Sequence, residues 1–440
     1  MKTVVNIMKT CLGCVLGTFF LLSAGPVRAQ SARELIAADA DRAANVYHHY
    51  ETFGTYDTPA PAGYKPFYIS HYGRHGSRYH ASESFFTGAS SYLEKLDSAG
   101  LLTDAGAEML ADIRLYMKDQ DGLYGTLTQR GVAEHQGIAS RMYKRFPAVF
   151  SQKGAKEILC VSSVFHRCLQ SMAAFTGELR SLSPDLRIAL HTGQRYMDYI
   201  SYDVPANPYQ SAVLKHVKDS MRNSLVDGSR IAALVCKMPS AAFDVTGREA
   251  SEFVMDLYFA GCIHGVLDYE MPDIFRKYFT LDELCGCQKV DDCNMYGRFG
   301  YTDELMGWRS EGMGRPLLRD FLEKADEVLA GERPGKVADL RFGHDGGIGS
   351  MLFLLRVENN EGETTIARGA DRWQCFREMC MASNLQMVFY RNRKGDVLVK
   401  LLHNERETTI LGLAPVEGPY YSWSDLREYF IRRLGESEAQ

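Results

Sequence analysis

Apolar and polar side chains alternate with period two from Phe67 to Tyr72, in an aromatic and β-branched run that stops at Gly73. Such a run predicts a buried strand. Strand patterns recur at Glu157–Ser163, Leu186–Leu190 and Val337–Gly343, and Ala382–Tyr390 and Val397–Glu405 flank the turn Arg393-Lys394-Gly395-Asp396 as a hairpin would. Elsewhere the spacing is helical. Ile36, Ala40, Ala43 and Tyr47 share one face of a helix predicted from Ser31 to Tyr50, with Ser31 as its cap. Helices are also predicted at Ser84–Leu96, from Thr128 as N-cap to Arg145, from Phe165 onward, and at Trp423–Leu434. Between 195 and 330 the helical spacing runs uninterrupted by strands, at Ser211–Asn223, Glu249–Leu267, Met271–Tyr278 and Pro316–Leu329. This predicts an α/β core over 60–194 and 331–440 with a mainly helical cap inserted at 195–330.

The first thirty residues do not fit that scheme. Lys2 and Lys9 precede an apolar run from Cys11 to Ala24, and Val27-Arg28-Ala29 resembles a small-residue cleavage site. Residues 1–29 therefore predict a signal peptide, and with it a periplasmic or secreted protein. The run is short and broken by glycine, which argues against a membrane anchor and so against stable membrane insertion once the leader is removed. Loss of Lys2, Lys9 and Arg28, with no acid, would take the net charge from −5 to −8. Nucleic acid is thereby a poor partner, and an anionic small molecule must be drawn by a local basic cleft. Nine cysteines follow the leader; Cys285-Gly286-Cys287 with Cys293 lacks zinc-finger spacing, so disulfides are expected instead, with at least one thiol left over.

Three short segments carry candidate chemistry. Arg74-His75-Gly76-Ser77-Arg78 follows the first strand, where open α/β folds place ligands. Two planar guanidiniums suit phosphate oxygens, Gly76 allows close approach, and a neutral His75 could act as nucleophile. Arg167 falls where the Glu157–Ser163 strand hands over to a helix, a second place for an anion clamp. His344-Asp345 follows the Val337–Gly343 strand and pairs a hydrogen-bond donor with a carboxyl group. The glycines after it, Gly346, Gly347 and Gly349, lack the spacing of a dinucleotide loop. Taken singly, each segment also reads as a solvated turn or helix start.

Arg74-His75-Gly76-Ser77-Arg78 resembles the Arg-His-Gly-x-Arg signature of the histidine acid phosphatases, in the phosphoglycerate-mutase-like superfamily, with His80 where that family has proline. Phe165-His166-Arg167-Cys168 through Ser171 and Phe175 is similar to a segment of the multiple inositol polyphosphate phosphatases of that family, closest to the bacterial ones. The resemblance implies a mixed sheet flanked by helices under a helical cap, and a monomeric phosphomonoesterase acting on inositol polyphosphates such as phytate. It implies a phosphohistidine on His75, with Arg74, Arg78, Arg167 and His344 binding the phosphoryl oxygens, and neither metal nor other cofactor. Asp345 would be the proton donor, protonated near the working pH and so favouring an acidic optimum. The inositol phosphate subgroup usually carries its donor as the glutamate of His-Ala-Glu, whereas here Asp345 takes the second place and Gly346 the third. A broad-specificity acid or sugar phosphatase and a non-catalytic phosphate-binding relative are the alternative readings.

Overall fold

The computed structural model describes residues 31–52, 57–201, 208–305, 310–357, 360 and 362–435; the predicted leader lies outside them. Among these residues eight strands form one mixed sheet: β1 Lys65–Arg74, β2 Glu157–Ser162, β3 Arg187–Thr192, β4 Lys336–Gly343, β5 Asn384–Arg391, β6 Val397–His403, β7 Arg406–Thr408 and β8 Tyr420–Ser422. The order is β3-β2-β4-β1-β5-β6-β7, with β8 also on β6. The β3, β2, β4 and β1 strands are parallel, and β5 to β8 continue antiparallel. The sheet is the mixed, helix-flanked one that the sequence resemblance implies.

The alternation in β1 sorts its side chains between two cores. Ile69 faces the core built with the Gln129–Arg145 and His166–Leu182 helices, while Tyr68 and Tyr72 join the larger core that includes the Asp345–Leu354 helix. From Tyr68 onward every residue of β1 is buried, so the strand lies deep inside the sheet. His71 and His135 are packed among Phe175 and Phe342 in the first of these cores, as aromatic fillers. His80 likewise stacks on Phe85 with ring centres 4.5 Å apart.

The described chain between β3 and β4 is helical. Pro208–Leu225, Ser229–Val235, Ala250–Gly261, Leu281–Phe299 and Ser310–Leu329 are its main helices. Ser84–Ser98, which precedes β2, packs against Ala250–Gly261, and Asp104–Gln120 packs against Ser229–Val235. Two stretches of sequence thus contribute to this helical layer. The helix expected over Ser31–Tyr50 is divided: Ser31 caps Ala32–Ala38 in a capping box with Glu34, Asp39 then ends it and caps a 3-10 segment, Ala40–Tyr47. Asn45 interrupts that segment with a φ of 56°, a conformation asparagine tolerates better than most residues.

The expected disulfides are not seen among the described residues, whose nine cysteines are free thiols, eight of them buried. Cys285, Cys287 and Cys293 lie along the Leu281–Phe299 helix rather than in loops. Residues two apart on a helix do not face each other, and the thiols instead fill core space as small apolar groups.

The first turn of the Gln129–Arg145 helix seats the loop after β1. Thr128 caps that helix, and its N–H and hydroxyl both donate to the Ser77 carbonyl, at 2.9 and 3.1 Å. Glu134 accepts from the Ser77 N–H and hydroxyl, each at 2.7 Å. The two backbones meet at glycines, since a Cβ on Gly131 would overlap the Ser77 carbonyl and one on Gly76 would overlap Gly131. Gly131→Ala is therefore expected to destabilise the fold by about 1–3 kcal/mol, read as a lower urea midpoint at unchanged slope. A midpoint equal to wild type would show that the contact relaxes freely.

Candidate active site

β1, β2 and β4 end side by side, and the residues that follow each strand converge. Arg74 is in register with Gly343. The Arg74 N–H donates to the Ser383 carbonyl at 2.8 Å and the His75 N–H to the Gly343 carbonyl at 3.0 Å, so the loop after β1 is pinned to the sheet before any side chain is considered. The Gly76 N–H donates to the Ser171 hydroxyl at 3.1 Å, tying the loop to the His166–Leu182 helix.

His75 is 2% exposed. Its Nδ1 lies 3.0 Å from the Gly76 carbonyl, which can only accept; Nδ1 therefore carries the hydrogen and Nε2 keeps the lone pair. Burial, and then the positive charges of Arg74 and Arg78 with His344 and Arg167, hold its pKa well below the ordinary value. The ring is a neutral imidazole with a free nitrogen, the form a nucleophile requires.

The guanidiniums around it have no carboxylate partner. Arg74, 1% exposed, donates to the carbonyls of Val46 at 2.6 Å and Met379 at 2.5 Å. Arg78 stacks on Tyr47 at 5.3 Å and donates to the Tyr79 carbonyl at 2.8 Å. Arg167 stacks on Phe165 at 4.8 Å. In each, Nε is buried with no hydrogen-bond partner, and among the described residues none of the three is ion-paired. Buried cations left this way ask for an anion.

His344 links them to an open cavity. Its ring centre is 5.7 Å from that of His75. Arg167 Nη2 donates to His344 Nδ1 at 3.3 Å, so the ring hydrogen sits on Nε2 and donates to the Ser163 hydroxyl at 2.9 Å. Burial, followed by the charge of Arg167, lowers the His344 pKa to about 4. The His344 main-chain N–H donates to the Tyr72 hydroxyl at 2.9 Å, and that hydroxyl donates on to the Ile200 carbonyl at 3.0 Å. Gly343 and Gly347 make room for it, because a Cβ on either would overlap the hydroxyl.

Asp345 heads the Asp345–Leu354 helix and accepts from the Gly346 N–H at 2.9 Å. Burial favours its neutral acid, but Arg74, Arg298 and His344, with that N–H, outweigh burial and carry the pKa down to about 2. This differs from the acid expected to be protonated near the working pH: at rest Asp345 is a carboxylate in mildly acid solution. The difference comes largely from Arg74 and from Arg298, which the sequence reading did not single out. Arg298 lies on the Leu281–Phe299 helix, and with Arg167, Tyr199, Ser201, His344 and Asp345 it lines a cavity of about 230 Å³.

All six residues expected at the site are thus drawn together: Arg74, His75, Arg78, Arg167, His344 and Asp345 form one electrostatically coupled cluster. Arg298, Ser163 and Tyr72 complete it. Tyr72 belongs to the strand pattern, but its contact with His344 depends on two glycines whose meaning shows only in three dimensions.

No family model matches the chain. Among curated proteins it is 22% identical over 366 residues to multiple inositol polyphosphate phosphatase 1 of Gallus gallus, covering 79% of this chain and 78% of that protein. It is 23% identical over 350 residues to the Homo sapiens protein of the same name, covering 74% and 69%. Among solved structures, the multiple inositol polyphosphate phosphatase of Bifidobacterium longum, in complex with inositol hexasulfate, superimposes with a TM-score of 0.74 at 19% identity, over 88% of this chain and 97% of that one. In sequence and in fold the chain is thus similar to the multiple inositol polyphosphate phosphatases.

Tyr72→Phe leaves the His344 N–H without its acceptor and is expected to cost about 1–3 kcal/mol of stability, measured by urea denaturation, together with a lower kcat. An unchanged kcat would show that this hydrogen bond does not position His344.

Proposed function

We propose that the protein hydrolyses phosphomonoesters of inositol polyphosphates in two steps, through a phosphohistidine on His75. The observation that carries this reading is the set of three guanidiniums, Arg74 and Arg78 buried and Arg167 half-buried, that have no carboxylate partner among the described residues and surround a histidine held neutral. The inositol polyphosphate class is supported by the names of the relatives and by the inositol hexasulfate in the Bifidobacterium longum complex. Arg298 adds a further positive charge on the cavity wall.

In the first step His75 Nε2 attacks phosphorus in line, the bond to the ester oxygen breaks, and that oxygen takes a proton from Asp345. Arg74, Arg78 and Arg167 hold the three equatorial oxygens and stabilise their charge, and His344 joins them when its Nε2–H turns from the Ser163 hydroxyl to the phosphoryl group. In the second step Asp345 removes a proton from water, which attacks the phosphohistidine and releases inorganic phosphate with His75 restored. Because Asp345 rests as a carboxylate, the proton of the first step enters with the substrate. A phosphomonoester whose second ionisation lies near pH 6 arrives as a monoanion below that pH, and its proton can pass to Asp345 once the phosphoryl charge offsets that of Arg74. The apolar leader supports export of the enzyme to an oxidising compartment.

The pH profile follows from these signs. The rate is expected to rise as pH falls below about 6, where the substrate monoanion dominates. It falls again only when His75 protonates, which its depressed pKa postpones to well below 6.5. A profile that rises steadily above pH 7 would contradict the scheme.

The direct test is phosphate release from myo-inositol hexakisphosphate between pH 3 and 8 with EDTA present. Wild type is expected to release phosphate, His75→Ala to fall to background, and Asp345→Asn to lose about 10²–10⁴-fold in kcat. Turnover of p-nitrophenyl phosphate without release from the inositol ester would instead favour a broad acid phosphatase. Undiminished activity in His75→Ala would overturn the mechanism.

A further inference from the structure

His48, His49 and Glu51 form a second cluster, on the segment that leads from the 3-10 turn Ala40–Tyr47 toward β1. The two imidazole centres are 4.4 Å apart. One ligand atom from each ring and one Glu51 carboxylate oxygen all fall within 4.8 Å of one another.

His48 is 1% exposed. Its Nδ1 lies 3.1 Å from the Asp41 carbonyl, so Nδ1–H donates there and Nε2 holds the lone pair. A carbonyl that accepts from the far ring nitrogen is the usual way a ligating histidine is oriented. Nε2 is buried and 3.2 Å from Glu51 Oε1, a close approach that does not amount to a hydrogen bond of good geometry. Two acceptor atoms at that separation match the edge of a metal tetrahedron, roughly 3.3 Å for bonds of about 2.0–2.1 Å. Arg42 donates to the same carboxylate oxygen from Nε at 3.1 Å and approaches it with Nη2 at 3.0 Å, which fixes the carboxylate and moderates its charge.

His49 decides between two explanations. A protonated His48 paired with Glu51 accounts for those two residues alone. The Nδ1 of His49 is also buried and without a partner, and an ion pair between its neighbours leaves it so. A divalent cation accounts for all three.

We propose that His48 Nε2, His49 Nδ1 and a Glu51 carboxylate oxygen bind one borderline divalent cation, for which Zn²⁺ is the best match, with the fourth position open to water. The ion would be structural. Its segment supplies the Val46 carbonyl that holds Arg74 and the Tyr47 ring beneath Arg78. The His48 carbonyl accepts from the Met381 N–H at 2.8 Å, and the Tyr50 N–H donates to Glu134 at 2.9 Å. Zinc here would staple the chain behind two phosphate-binding arginines without touching substrate.

The test uses the full chain stripped with EDTA, dialysed, and titrated with Zn²⁺ by calorimetry, with Co²⁺ as a spectroscopic probe. One equivalent of Zn²⁺ is expected, with visible Co²⁺ bands of tetrahedral intensity and a raised Tm. His49→Ala and Glu51→Gln should each weaken binding at least tenfold and lose the Co²⁺ bands while melting like wild type in EDTA. His75→Ala should bind zinc as wild type does. Absence of stoichiometric binding, binding undiminished in His49→Ala, or binding abolished in His75→Ala would each overturn the proposal.

Discussion

The structure depends on keeping the Arg74 guanidinium buried without a carboxylate to neutralise it. A cation in that position is costly unless its donors are satisfied, and the chain satisfies them with the main-chain carbonyls of Val46 and Met379. Carbonyls orient the group and leave its charge unspent. Burial, and then that charge, depress the His75 pKa, which makes the imidazole a lone-pair donor, and the same charge helps hold Asp345 ionised at the cavity wall. A carboxylate in place of either carbonyl would stabilise Arg74 and at the same time remove the field on which both neighbours rely.

The fold is arranged to hold that charge still. Ser383, just before the antiparallel strand β5, supplies the carbonyl beside Arg74, β4 supplies the Gly343 carbonyl to His75, and the N-terminal segment closes over both with Val46 and Tyr47. Glycines mark where backbones must touch: Gly76 against Gly131, and Gly343 and Gly347 around the Tyr72 hydroxyl. The helical layer contributes less to the reacting centre and more to its mouth, through Arg298 and Tyr199. Chemistry thus rests on the sheet, and access rests on the helices.

Local pattern made the reacting centre legible. β1 follows its period-two alternation, the loops after β1 and β4 carry their histidines in short recognisable runs, and Arg167 opens a helix directly after β2. The Leu281–Phe299 helix was not legible: it is buried on most sides and interspersed with cysteine and glycine, so it shows no polar face, and Arg298 went unread with it. Asp104–Gln120 is different, since Met109, Leu110, Ile113 and Tyr116 do carry a helical spacing that the sequence offers. The expected disulfides are not seen among the described residues, where Cys285, Cys287 and Cys293 share one helix and eight of the nine thiols are buried. The resting charge of Asp345 could not be read either, because it depends on Arg74 and Arg298, which are distant in sequence.

The central claim is that neutral His75 becomes covalently phosphorylated. Rapid mixing of the Asp345→Asn variant with inositol hexakisphosphate, an alkaline quench that preserves phosphoramidates, and peptide mass spectrometry tests it most directly. The account predicts one phosphoryl group on His75, appearing before free phosphate and lost on acidification. A phosphoryl group on any other residue, or phosphate release with no covalent species at any time, would contradict it.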